Sequence, residues 1–175
     1  MNQVIKVIIF SAVFFVFELV STASDSENSN SNSLFKIGRS KDANEIFYEV
    51  RTTPDGNLNL DEPIKIYWIK YAENSAVEPL TKVQQLFAYG LKFLEVTPEK
   101  ADFQFVSYAK RTLSLSKNDV GKYVVSTEVD GKNVELERVF LQIDGGTFWF
   151  PKISRVEIYA KKAEAGEPVV EIIIP

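Results

Sequence analysis

Two acids held at a set separation across a cleft are the minimum for glycoside hydrolysis, and the chain offers Asp61-Glu62, Asp102, Glu128, Asp144 and Glu157. Each falls at a turn or on an outward strand position, so no pair is directed to one place. The chain has no histidine and no cysteine. The usual neutral-pH acid or base, thiolate nucleophiles and sulfur-ligated zinc are therefore excluded. There is no Gly-x-Ser-x-Gly, no phosphate loop and no calcium loop, and isolated Asp-Gly pairs are turns. A non-catalytic protein is favoured, with no cofactor and no metal expected.

Binding chemistry is better represented. Arg39, Ser40, Lys41 and Asn44 place two cations and two hydrogen-bonding side chains at one loop-to-strand junction. They suit the rim of a pocket for a carboxylate or phosphate; a solvated loop with Asn44 serving a turn is the plainer alternative. Tyr67, Trp68 and Tyr89, with Phe148 and Trp149, suit the wall of an apolar or sugar-stacking cavity, or ordinary core packing. Arg138 stands where a pattern changes phase. Val134, Leu136 and Phe140 share its face, whereas Glu135 and Glu137 share the face of Val139, Leu141 and Ile143. A β-bulge near Arg138 explains the change structurally. An inward arginine paired with a carboxylate inside a cavity explains it functionally, because an unpaired buried charge is costly.

These residues must be positioned by strands. Ile46-Phe-Tyr-Glu-Val-Arg51 alternates, and Ile64-Lys-Ile-Tyr-Trp-Ile-Lys-Tyr71 puts Ile64, Ile66 and Trp68 on one face. Glu78 and Pro79 open the one convincing helix, predicted over about 79–89. Leu80, Val83 and Phe87 recur along it at helical spacing, and Gly90 stands where a left-handed cap is wanted. That helix is expected to pack on, or plug, the sheet. Beyond it, Phe103 to Tyr108 and Thr112 to Ser116 alternate, and Asp130-Gly131 between two alternating runs is a strong hairpin signal. The count is eight to ten strands and a single helix. The expectation is a mainly β fold, an antiparallel barrel or strongly curled sheet, with a two-sheet β-sandwich as the alternative.

Residues 1–23 carry Lys6, the apolar run Val7 to Phe17 and small residues at Ser21-Thr22-Ala23, the marks of a cleavable secretory signal. Glu18 interrupts the run too early for a membrane anchor, so no transmembrane span is expected in the mature chain. Residues 24–33 form a polar Ser/Asn tract predicted to be a disordered tether. Residues 34–175 suit a single antiparallel β domain. With 20 basic against 24 acidic side chains, net charge −4, the chain offers no field for nucleic acid. It is expected outside the membrane, periplasmic or extracellular.

The mature part resembles the bacterial family catalogued as domain of unknown function 4833. The resemblance rests on Phe35 with Arg39-Ser40-Lys41-Asp42-Ala43-Asn44 and Tyr48, on Pro63 with Tyr67-Trp68-Ile69, and on Tyr89-Gly90 after a helix containing Gln84-Gln85. It implies an exported one-domain protein with no assigned activity, so no catalytic residue is carried over. The expected function is binding of a small, partly apolar ligand or cell-envelope component, with Arg39, Lys41, Asn44, Tyr67, Trp68, Tyr89 and Arg138 as the binding residues. A carboxylate-based hydrolase and a surface protein-interaction module are the alternatives.

Overall fold

A computed structural model describes residues 32–147, 151–163 and 166–175. The expected leader, most of the polar tract, and Phe148 and Trp149 lie outside the described residues. The tract ends earlier than expected: the Asn32 carbonyl accepts from the Val50 N–H at 2.9 Å, which recruits Ser33 into the first strand.

Eleven strands follow in order: β1 (Ser33–Arg39), β2 (Asp42–Val50), β3 (Ile64–Lys70), β4 (Ala76–Pro79), β5 (Leu91–Val96), β6 (Lys100–Phe105), β7 (Tyr108–Lys117), β8 (Tyr123–Val129), β9 (Lys132–Gly146), β10 (Pro151–Lys162) and β11 (Pro168–Ile173). Among the described residues the one α-helix, α1 (Lys82–Phe87), lies between β4 and β5. Alternation sets the strands' faces: Ile46, Tyr48 and Val50 are buried along β2, as are Tyr123, Val125, Thr127 and Val129 along β8. Asp130 and Gly131 turn β8 into β9 with φ of 49° and 72°, the two positive values a tight hairpin turn requires.

The hydrogen-bonded path runs β4-β3-β2-β1-β9-β8-β7-β6-β5, with β10 and β11 branching from β9. The long β9 organises the whole. β10 runs along its Val134 to Gly146, while β8 pairs with Lys132 to Glu135 and β1 with Arg138 to Leu141. A strand has two edges, so β1 and β8 share the one that β10 does not occupy. Two arms, β1–β4 and β8–β5, leave that edge and curl toward each other into a half-barrel. Phe105 of one arm packs edge-on to Phe35 and Tyr48 of the other, with ring centroids 6.0 and 5.8 Å away. One hydrophobic core fills the space between them, with Ile46, Phe103, Leu115 and Val125 fully enclosed.

The antiparallel expectation holds for every strand pair but one: β1 and β9 run parallel. Parallel neighbours need a long crossover, and the seven strands between β1 and β9 supply it. The helix also differs from expectation. Pro79 ends β4 opposite Tyr67, at a sheet edge where a missing N–H is tolerated. Thr81 then caps α1, its hydroxyl accepting from the Gln84 N–H while the Gln84 side chain accepts from the Thr81 N–H. The helix is too short to plug anything and buries none of its residues. Leu80, just before it, is 4 % exposed, whereas Phe87 is 74 % exposed. Gly90 serves space rather than a left-handed cap: a Cβ there would stand 1.8 Å from the Gln85 carbonyl oxygen.

Candidate functional site

The anticipated residues divide between two faces of the sheet. Arg39, Trp68 and Tyr89 meet on the core side, where the chain crosses from β4 to β5. The Arg39 guanidinium lies over the Trp68 ring, 4.5 Å from its centroid. Its two amino groups donate to Asp42 Oδ2 at 2.6 Å and to the Tyr89 hydroxyl at 3.3 Å. Burial alone works against that charge, but the Tyr89 oxygen and the Asp42 carboxylate outweigh it and hold the guanidinium above its ordinary value. Tyr89 stands edge-on to Trp68 at 5.6 Å, and the Trp68 indole N–H donates to Gln84 Oε1 at 3.4 Å. The buried Tyr48 hydroxyl donates to the Tyr89 carbonyl at 2.7 Å. From the other arm, the Val106 N–H bonds Gly90 and the Ser107 hydroxyl bonds Ala88. This is a clasp that ties the α1 segment to both arms. Asn44 sits beside it, its N–H bonded to Asp42 Oδ1 at 3.1 Å. Lys41 is exposed in the β1–β2 turn.

Tyr67 and Arg138 belong to the opposite face. There the strand registers line up one cross-strand row over six strands: Tyr67, Phe47, Lys36, Arg138, Tyr159 and Val170. Phe47 stacks on Tyr67 with centroids 5.9 Å apart, and Lys36 lies over Phe47 at 5.9 Å. The Arg138 guanidinium is 6.0 Å from the Tyr159 ring and 5.4 Å from that of Phe140. The first five members line a cleft of about 1170 Å³. It is somewhat larger and more charged than the usual small-molecule site, and it combines aromatic walls with cations and carboxylates.

The phase change at Arg138 is a β-bulge. Tyr159 pairs with Arg138 but Ala160 pairs with Leu136, leaving Glu137 as the extra residue on β9. Arg138 thereby shares a face with Lys36, and Glu45 bridges them at 3.1 Å to Lys36 and 3.7 Å to Arg138. Glu157 pairs with Arg155 at 2.8 Å and accepts from the Tyr159 hydroxyl. That hydrogen bond, then burial and the Glu157 charge, pushes the Tyr159 phenol up. Lys36, Phe47 and Tyr159 line the cleft and Glu45 bonds its cations; the sequence pattern singled out none of the four. Alternation along β2 places Glu45 and Phe47 on one face, but the β1–β9 register that brings Arg138 beside Lys36 is not local.

None of the acids singled out in the sequence lines the cleft. Glu62 pairs with Arg51, and Lys100 reaches Asp102 at 2.8 Å. Although burial works upward on Asp102, bonds from Lys100 and Ser114 leave its carboxyl below the ordinary value. Bonds from Gln142 and Ser154 do the same for Asp144. Among the described residues no cluster of acids has the arrangement of a metal site, and no helix is long and apolar enough to cross a membrane.

Residues 35–172 match the model of the family described as Domain of unknown function (DUF4833). The chain belongs to this family. No curated protein and no solved structure matches it significantly. The DUF4833 match opens at Phe35 in β1 and closes at Ile172 in β11, so both the clasp and the cleft lie within the family's domain.

Proposed function

We propose that this DUF4833 domain is an exported, non-catalytic protein that binds a small, partly apolar ligand or envelope component in the cleft over the cross-strand row. The carrying observation is the cleft itself, about 1170 Å³ and lined by Phe47, Tyr67, Tyr159, Lys36 and Arg138. Aromatic bodies supply apolar contact while the cations fix orientation. The acids singled out in the sequence do not line this cleft, and those that do, Glu49, Glu135 and Glu137, are engaged by Tyr67 and Lys161, which gives less support to a hydrolase. Native mass spectrometry of the protein from its own host tests the proposal. A retained small molecule, lost on Phe47→Ala, is the expected result; no retained mass and no binder among screened amphipathic compounds overturns it.

A second reading, a protein-interaction module, draws on the solvent-facing Val83, Leu86 and Phe87 of α1. It prevails if the ligand tests fail and Phe87→Ser abolishes a host-protein complex.

A further inference from the structure

The cleft's ligand carries chemistry that its charge arrangement specifies. We propose that the cleft selects a free amphipathic acid, whose carboxylate or sulfonate seats between Lys36 and Arg138 while its apolar body lies against Phe47 and Tyr67. This inference rests on the cleft being the binding site.

Three observations carry it. First, charge is unbalanced at one point. Lys161 has two carboxylates, Glu135 and Glu137, each at 3.4 Å, whereas Lys36 and Arg138 share the single carboxylate of Glu45. Glu45 holds Lys36 closely but reaches Arg138 only at 3.7 Å, and the Arg138 side chain is 40 % exposed. A planar fork that is open to solvent and only loosely paired is suited to an oxyanion. Second, the strand beneath the Arg138 side chain carries a glycine with no turn to make. Gly38 has no positive φ, yet a Cβ on it would stand 2.8 Å from Arg138 Nη2 and 3.4 Å from Nε. Its missing side chain leaves the guanidinium room to lie flat. Third, the cations are flanked by rings, Phe47 beside Lys36 and Phe140 and Tyr159 beside Arg138, so the apolar part of an acid has walls within reach. A recessed cleft encloses a free acid on several sides, whereas a bilayer headgroup calls for a projecting basic surface. Glu45, whose side chain is only 13 % exposed, acts as the internal acid that the ligand's own acid displaces.

The test uses 8-anilinonaphthalene-1-sulfonate and its uncharged relative N-phenyl-1-naphthylamine, with fluorescence titration on the protein purified from its host. The sulfonate is expected to bind at least about ten-fold more tightly than the neutral probe. Arg138→Gln and Lys36→Gln should each weaken it about ten-fold, the loss of a hydrogen bond to a charged group. Glu45→Gln should tighten it, because the competing acid is gone; a purely structural Glu45 cannot give that sign. Equal affinity for both probes, or a Glu45→Gln variant that binds the sulfonate no better, overturns the inference while leaving the cleft as a site. Binding of neither probe overturns the cleft reading as well. Flotation of the protein with phosphatidylglycerol vesicles would replace the free acid by a lipid headgroup; no flotation is expected.

Discussion

Two arginines stand on opposite faces of the same sheet, and their surroundings differ in the way that separates architecture from function. Arg39, with its side chain 15 % exposed, spends its guanidinium on Asp42, Tyr89 and the Trp68 face, all within the chain. Arg138, 40 % exposed, has one shared carboxylate at 3.7 Å. A guanidinium whose amino groups are enclosed and closely bonded closes a structure; an exposed, loosely paired one is open to a partner outside it. The comparison puts Arg39, Trp68 and Tyr89 in the contacts that hold the two arms together, and Arg138, Lys36 and Tyr67 in the cleft proposed for the ligand.

The largest effect expected follows from removing the ring under Arg39. Trp68→Ala should cost about 3–5 kcal/mol in denaturant unfolding, the range for emptying a buried aromatic site, and it also strips Arg39 and Tyr89 of their platform. Arg39→Gln, which deletes charged hydrogen bonds of the clasp, should cost about 1–3 kcal/mol. Arg138→Gln should stay within about 0.5 kcal/mol of the parent, as surface changes away from tight networks do, while altering binding. Equal destabilisation by the two glutamines would erase the distinction between the faces.

A smaller difference is expected between two glycines, one on each face. At Gly90 an added methyl meets the Gln85 carbonyl at 1.8 Å, and backbone must move. At Gly38 it meets the far end of the Arg138 side chain, which can swing aside. Gly90→Ala should therefore cost about 1–3 kcal/mol, as overpacking does, with a lowered thermal midpoint. Gly38→Ala should leave the midpoint nearly unchanged and show itself in anion affinity.

Periodicity made much of this legible and nonlocal pairing withheld the rest. The alternation of β2, β3 and β8, the Asp130-Gly131 hairpin and the curled sheet follow from side chains two residues apart, which is local information. The phase slip around Arg138 announced the bulge at Glu137. What no local pattern carries is register between strands about a hundred residues apart, and the Lys36–Arg138 pairing is of that kind. The clasp was partly visible, since Arg39, Trp68 and Tyr89 stood out as chemically apt, but their use on each other depends on where the curl brings Tyr89. The helix misled for a physical reason: the spacing of Leu80, Val83 and Phe87 fits a buried face, yet β4 captures Pro79 and leaves α1 one and a half turns of solvent-facing helix.

Two tyrosines give the comparison its finest test, through alkaline pH. Burial, and then the charge of Tyr89, raises the phenol of Tyr48 well above its ordinary value, and its hydroxyl is bonded to the Tyr89 carbonyl. The unfolded chain releases that proton near pH 10 while the folded chain keeps it. The native state then binds more protons than the unfolded state, so stability is intact below about pH 10 and falls as pH rises toward the folded value, by up to about 1.4 kcal/mol per pH unit. Tyr159 is also raised, through its bond to Glu157, but it lies on the exposed cleft face. Lys70 and Lys100, raised by their carboxylate partners, titrate in the same range, so differences between variants isolate each phenol. Tyr48→Phe should cost about 1 kcal/mol at neutral pH for the lost hydrogen bond and should flatten the alkaline slope, so that its stability approaches that of the parent by pH 11. Tyr159→Phe should leave the slope close to that of the parent. Urea unfolding at pH 8, 10 and 11 measures both, and a parent slope unaffected by Tyr48→Phe would mean that the clasp side of the sheet is wetter than its packing implies.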